Sequence, residues 1–536
     1  GMEVGSLLSG LLQDAEKNPV LLVSLLLGVG SLIGAIRIRR VGLGPAAVLF
    51  LAIALSAINP NLALPAIIGN IGLALFAYTV GLNAGPGFFE SLSKASKMII
   101  FTVVALVAAG GLALLLGYLL HLPDSVIAGV FAGSLTNTPA LAAANEQIRG
   151  EDPIVGYSLT YLFGVIGMLI FATVAAGKNP EQTPEQKNLV ARNVRIEKAK
   201  LPDLGTLAAQ YSDQLVFSRI MRGDTPDHEG AVEIATEHTK PHEGDILTIV
   251  GEREQVEQAI EDLGHASSVA LHLDRRYLDF RRFTMSNTKL SGRRIADLDL
   301  ERKFGATITR VRRGDVDLLA TDDLVVLTGD RLRIVAPRGK LRDVSEFFGD
   351  SETNTAHLDA ASLGIGLSLG VLLGLLIWPL PGGNHFALGV AGGSLVVGLI
   401  LGRVMRTGPF VWSLPYGTSN TLGQLGMLLF LAYAGSTAGP AFLRAVHSDQ
   451  LPWILLAGFI ITTLFAYSIL LFGRYVAKID NASLAGTLAG AGTQPAVLAH
   501  ANELVNSSNV NLGYALVYPA AMIAKVIIAP LIGTLF

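Results

Sequence analysis

GNIGLALFAYTVGLNAGPGF (69–88) and GQLGMLLFLAYAGSTAGPAF (423–442) are one pattern written twice. They align without a gap: Gly69 on Gly423, Gly72 on Gly426, Phe76 on Phe430, Gly81 on Gly435, then Ala-Gly-Pro and Phe88 on Phe442. A second pair lies further along each copy. AGVFAGSLTNTPALAAANE (128–146) matches AGTLAGAGTQPAVLAHANE (485–503) with a one-residue slip at the proline, and Tyr157 and Tyr161 then fall on Tyr514 and Tyr518. A duplicated apolar unit whose helix is interrupted at a proline in both copies is the sequence mark of a secondary transporter.

Composition supports a membrane protein. Of 536 residues, 51% are hydrophobic and 15% charged, a low charge content for a soluble chain. Cysteine is absent, which removes disulfides, thiol catalysis and cysteine-bound metals. The ten histidines show no metal-ligand spacing, so neither a metal nor another cofactor is expected. The net charge of -3 gives no reason to expect nucleic acid as a partner. No Ala-x-Ala pattern precedes the first apolar run, which therefore reads as a membrane helix following an N-terminal segment, 1–19, and not as a cleaved leader.

Apolar runs fall at about 20–36, 44–58, 62–83, 98–120, 125–145 and 154–177, and again at about 361–378, 386–402, 420–438, 452–476, 483–501 and 511–535. A spanning helix needs roughly 20 apolar residues. The fifth run of each set is broken by Ser-Leu-Thr-Asn-Thr-Pro (134–139) or Gly-Thr-Gln-Pro (492–495). Proline removes an amide donor and clashes with the preceding turn. Irregular backbone at membrane depth persists only inside protein or beside water. These segments are thus either broken spanning helices or re-entrant hairpins. Arg37, Arg39, Arg40, Lys94 and Lys97, then Arg403, Arg406, Arg474 and Lys478, fall on one side when each copy makes five crossings and the fifth run re-enters. That scheme inverts the two copies, leaves both termini extracytoplasmic and puts the charged centre in the cytoplasm. The fold class expected is an α-helical polytopic membrane protein with two inverted repeats, 20–177 and 360–536, and an inserted α/β region.

The inserted region is also doubled. Its units, 190–268 and 269–350, each carry a strand ending in Arg-Gly (217–223 and 308–314), then a Gly-Asp turn before an alternating strand (243–251 and 328–335), then a helix. Polar linkers are expected at 178–189 and 351–359.

The membrane copies resemble the aspartate:alanine exchanger family of bacterial inner-membrane transporters. LFAYTVGLNAGPGF (75–88), its echo LFLAYAGSTAGPAF (429–442), and the TNTPAL and TQPAVL breaks carry the likeness. The central units resemble the C-terminal regulatory domains of potassium-conductance regulators, through LSGRRIADL (290–298) followed by Thr328-Gly-Asp330. The first unit departs from that pattern at Gly205-Thr-Leu207. The resemblance implies exchange of aspartate for alanine, or of dicarboxylates, by a homodimer with a small regulatory ligand.

The residues themselves suggest where a solute would bind. Half-helices begin after each break, at Pro139 and Pro495, and proline suits the first helical position. Their N-termini favour carboxylates. Thr136, Asn137, Thr138, Thr493 and Gln494 are placed to donate to a solute or, more plainly, to cap the broken backbone. Lys525, inside the last apolar run, is an intramembrane charge and so a candidate to neutralise a carboxylate or hold a proton; the plainer alternative is snorkelling or pairing with Glu503. Its counterpart in the first copy is Met168. Asn83 and Thr437, beside Gly81, Gly85, Gly435 and Gly439, are weaker candidates, because small residues four apart usually serve close helix packing. A cation-coupled transporter of organic anions remains an alternative, although no Asp or Glu lies in the breaks. A channel would need a filter like TVGYG, and TVGLN (79–83) lies within a helix. No nucleophile elbow or phosphate loop suggests an enzyme.

Overall fold

The computed structural model describes residues 2–38, 41–137, 140–141, 144, 152–177, 189–223, 232–269, 271, 278–313, 316–351, 358–379, 385–505 and 507–534. Two compact units emerge. One comprises Gly1–Thr183, Gly364–Arg403 and Asn420–Phe536; the other comprises Pro184–Leu363 and Val404–Ser419.

The first unit is helical: α1 (Met2–Lys17), α2 (Pro19–Gly34), α3 (Ala46–Ile58), α4 (Ala66–Leu119), α5 (Asp124–Ser134), α6 (Asp152–Ala176), α7 (Ala360–Leu375), α8 (Gly389–Val404), α9 (Tyr416–Val446), α10 (Leu451–Leu471), α11 (Asn481–Ala491), α12 (Pro495–Leu504) and α13 (Ser508–Thr534). Among the described residues six segments are long and apolar enough to span a bilayer, and five further apolar helices are shorter. One expectation is corrected here. The runs at 62–83 and 98–120 are not separated by a loop carrying Lys94 and Lys97, because α4 continues through all 54 residues. Between them lie Glu90, Leu92, Lys94 and Lys97, mostly good helix formers, with no turn dipeptide after Gly87. The second copy does turn there, at Ser448–Gln450 between α9 and α10, where Ser448 Oγ accepts from the Gln450 amide.

Glycine decides the packing of this unit. A methyl group on Gly72 would collide with the carbonyl of Gly426, and one on Gly426 would collide with the carbonyl of Gly72. Flanking them, Gly69 lies against Tyr433 and its equivalent Gly423 lies against Thr79, the residue equivalent to Tyr433. Equivalent residues meeting reciprocally is the contact pattern of a two-fold relation. Matched contacts recur elsewhere, first between the copies and then within each. Gly81 and Gly85 abut α8 at Leu395 and Leu399, while Gly435 and Gly439 abut α3 at Leu49 and Ser56. Gly129 meets Pro153 and Gly133 meets Tyr157, as Gly486 meets Val510 and Gly490 meets Tyr514. Small faces let backbones approach where no water drives association.

The second unit holds two larger sheets, beside two short two-stranded ones. Strands β1 (Leu189–Ile196), β2 (Leu215–Met221), β3 (Val232–Ile234), β4 (Ile246–Glu252) and β5 (Gly264–Ala266) form one, in the order β3-β2-β4-β1-β5. Strands β6 (Leu278–Thr284), β7 (Thr307–Arg313), β8 (Val316–Leu319) and β9 (Arg331–Pro337) form the other, in the order β8-β7-β9-β6. All pairings are antiparallel, and β2 and β7 each carry an irregularity at the same place, Phe217/Ile220 and Ile308/Arg310. The doubling read from sequence extends to the Gly-Asp turns. Buried Asp245 accepts from Arg222 Nη1 at 2.9 Å and from the Gly223 and His242 amides; buried Asp330 accepts from Arg313 Nη2 at 2.7 Å and from the Leu327 amide. Each carboxylate thus finds a guanidinium and backbone donors, the condition under which a charge can be buried.

Val404–Ser419 lies within the stretch read as the second membrane repeat and packs with the second unit. Its short hairpin brings Arg406 Nη1 to the carbonyls of Thr288, Lys289 and Ser291, at 3.0, 2.9 and 3.2 Å. A three-carbonyl anchor, and not only the charge of a membrane-flanking loop, accounts for this arginine. The linker residues 178–188 and 352–357 lie outside the described residues.

Candidate functional site

Helices α5 and α11 end in the same way. The amide of Asn137 bonds to Ala132 O and that of Gln494 to Ala489 O, the six-to-one closure of a helix C-terminus. That closure places the preceding residue in the left-handed region, usually as glycine. Here both positions hold threonine, Thr136 with φ 55° and Thr493 with φ 50°. A β-branched residue there costs about 1–3 kcal/mol, and such cost concentrates at functional sites.

The chain then restarts as helix. Gln494 precedes Pro495, the first residue of α12, and its side-chain oxygen accepts from the Ala496 amide at 3.2 Å. Asn137 Oδ1 accepts from the Ala140 amide at 2.7 Å. Asn137 and Gln494 therefore do cap the broken backbone. Their amide nitrogens remain to donate elsewhere: Asn137 Nδ2 to Thr493 Oγ1 at 2.9 Å, and Gln494 Nε2 to the Tyr161 hydroxyl at 3.1 Å. Thr136 Oγ1 donates to the Gly492 carbonyl. The two breaks, 356 positions apart in the chain, are thus hydrogen-bonded to each other in a buried junction.

Lys525 completes that junction. Its ammonium is fully buried and donates to Leu135 O at 2.9 Å and Thr493 Oγ1 at 3.1 Å, so it touches both breaks. It neither snorkels nor pairs with Glu503, which lies 3.7 Å from Arg37 instead. Met168, its counterpart, packs its methyl against Gly492, the residue equivalent to Leu135. The junction is therefore two-fold in layout and one-sided in charge.

Comparison with known proteins agrees with this architecture. The family described as "Predicted Permease Membrane Region", of the aspartate–alanine exchanger type, matches residues 22–177 and 362–534, and the TrkA-C domain matches 281–349. An uncharacterized transporter of Geobacter sulfurreducens is 39% identical over 97% of this chain and 98% of its own length. One from Symbiobacterium thermophilum is 38% identical over 97% and 99%, and one from Corynebacterium glutamicum 37% identical over 96% and 98%. No solved structure matches the chain.

The chain belongs to the aspartate:alanine exchanger family. As a member of that family it is a multi-pass membrane transporter with a TrkA-C domain. The match to the second central unit agrees with the regulatory-domain likeness carried by 290–298.

Of the residues singled out from this exchanger-family sequence, Thr136, Asn137, Thr493, Gln494 and Lys525 converge, with Pro495 opening the second half-helix. Thr138 and Pro139 lie outside the described residues. Asn83 and Thr437 do not share in the junction's hydrogen bonds. Thr437 bonds to carbonyls of its own helix, and the glycines around both positions serve helix contacts. Three junction residues escaped the sequence reading. Tyr161 holds Gln494, Met522 Sδ lies 3.3 Å from Asn137 Nδ2, and Thr462 donates to Ser134 O at 2.8 Å. Only Tyr161 carried a signal, its recurrence as Tyr518. His500 is likewise buried, with Nε2 2.8 Å from Thr173 Oγ1.

Proposed function

We propose that this transporter is an antiporter exchanging small anionic solutes, aspartate for alanine or one dicarboxylate for another, by alternating access across the bacterial inner membrane. The observation that carries the reading is Lys525, an ammonium buried where two helix breaks meet. An intramembrane charge of this kind marks a solute or ion path by default. A solute carboxylate would take over the donors now used between the breaks: Lys525 Nζ, Asn137 Nδ2 and Thr136 Oγ1. Exchange of one set of hydrogen bonds for another keeps the ammonium paired with and without solute. Obligatory exchange further requires that the empty site not return across the membrane, which counterflow reads.

The reciprocal contacts of Gly72 with Gly426 support two repeats related by a two-fold axis. In the full reading this axis lies in the membrane plane, the broken segments re-enter, the soluble unit is cytoplasmic and the protein is a homodimer. Counterflow in proteoliposomes tests the function: labelled aspartate should accumulate in vesicles preloaded with alanine, aspartate or succinate, and not in empty vesicles. Uptake that needs a Na⁺ or H⁺ gradient and no internal solute would refute exchange in favour of coupled import.

A further inference from the structure

Two helices end where the breaks meet, Leu135 closing α5 and Gly492 closing α11. A helix C-terminus leaves carbonyls without amide partners, carries partial negative charge and favours a cation. The two ends are served differently. Gly492 O accepts from the hydroxyls of both Thr136 and Thr493. Leu135 O, its equivalent, instead takes the Lys525 ammonium at 2.9 Å. Both threonine hydroxyls thus turn toward the second copy's helix end, and the first copy's end is left to a cation.

That cation is held by oxygen alone. Leu135 O and Thr493 Oγ1 accept from it, and among the described residues no carboxylate pairs with it. A buried charge without a counterion persists only where dipoles replace its water. In transporters built from repeated halves, carbonyls of unwound backbone and the C-terminal ends of half-helices coordinate a small cation. Backbone carbonyls can stand in for the hydration shell of a metal ion. Met168 shows what the equivalent position holds where no charge is needed, a methyl packed on Gly492.

We infer that Lys525 is a tethered cation. Its ammonium fills a site for a monovalent metal ion, formed by Leu135 O and Thr493 Oγ1, that free sodium enters once the side chain is removed. The consequence for transport rests on the exchange reading. A free cation binds and leaves in each cycle, which couples solute movement to the cation's own gradient. A cation bonded to the chain leaves on neither side, so solute gradients alone drive movement.

The test is thermal unfolding of the full chain in detergent, as parent, Lys525→Ala and Lys525→Met. Each is melted in sodium chloride and, at equal ionic strength, in the chloride of N-methylglucamine, a cation too bulky for the site. Lys525→Ala should melt about 3 °C or more higher in about 200 mM sodium, because an ion that binds only the folded state stabilises it by mass action. Methylammonium, the head of the lost side chain, should act likewise. The parent and Lys525→Met, whose side chains fill the site, should melt within about 1 °C in the two salts. Lys525→Ser, which adds an oxygen, is the second variant if the alanine one does not survive extraction, and recovery of either variant in sodium only supports the assignment. Parent counterflow should run at the same rate in both salts. No sodium shift in the alanine and serine variants, an equal shift in the parent, parent counterflow that needs sodium, or loss of both variants in either salt would each overturn the assignment. Melting involves no transport, so a sodium-responsive Lys525→Ala beside a parent without counterflow refutes exchange and leaves the tethered cation standing.

Discussion

Replacing Lys525 by methionine separates a binding role from a structural one. Two structural terms oppose each other. Loss of the ammonium leaves Leu135 O without that donor, which costs about 1–3 kcal/mol. Against this, an ammonium no longer has to be buried, and that penalty is several kcal/mol even after relaxation. Methionine also stands at the equivalent place, as Met168 against Gly492, so the shape is tolerated there. The fold of Lys525→Met should therefore persist, with a melting temperature within a few degrees of the parent. Binding changes in one direction only. A charge-assisted hydrogen bond to a solute carboxylate contributes about 1.5–3 kcal/mol, so KM for aspartate should rise roughly ten- to a hundredfold. Counterflow of labelled aspartate at a series of concentrations measures this, with differential scanning fluorimetry on the same preparation. Lys525→Arg, which keeps the charge, should retain exchange better than Lys525→Met. A folded Lys525→Met protein whose KM and maximal rate stay within twofold of the parent would refute the reasoning and make the lysine a structural strut.

Asn137→Ala removes both the cap on the Ala140 amide and the bond to Thr493, so stability should fall by about 1 kcal/mol and exchange should slow; thermal melts and counterflow read the two effects. Gly72→Ala places a methyl against the Gly426 carbonyl and should cost about 1–3 kcal/mol in melting experiments, whereas Gly111→Ala, with open space around it, should be silent. In the soluble unit, burial first, and then Glu237, Asp323 and Asp213, raise the Asp322 pKa above its ordinary value. The folded state then binds more protons than the unfolded one, so this carboxylate destabilises increasingly as pH rises through its folded pKa. Asp322→Asn should raise the melting temperature at pH 7 and lose that advantage below about pH 3.8, which unfolding scans across pH would reveal.

The amino-acid sequence was enough to expose the duplication, the proline-marked breaks and the doubled Gly-Asp turns, because each is a local pattern of residue types. It also drew attention to Lys525, since an ionised group in an apolar run is costly wherever the chain goes. It misjudged the stretch after Gly87, where the loop inferred from Lys94 and Lys97 competes with helix propensity and loses. It read Arg406 as a membrane-flanking charge, with no means of knowing that three carbonyls more than a hundred residues earlier would gather around it. Which groups meet was decided by tertiary structure alone. Lys525 reaches Leu135, 390 positions away, only because glycine faces let the helices close to backbone contact and thereby bring the two breaks together. Local pattern sets what each segment can do, but a partner hundreds of residues distant is chosen by packing, where a single methyl group decides whether two backbones touch.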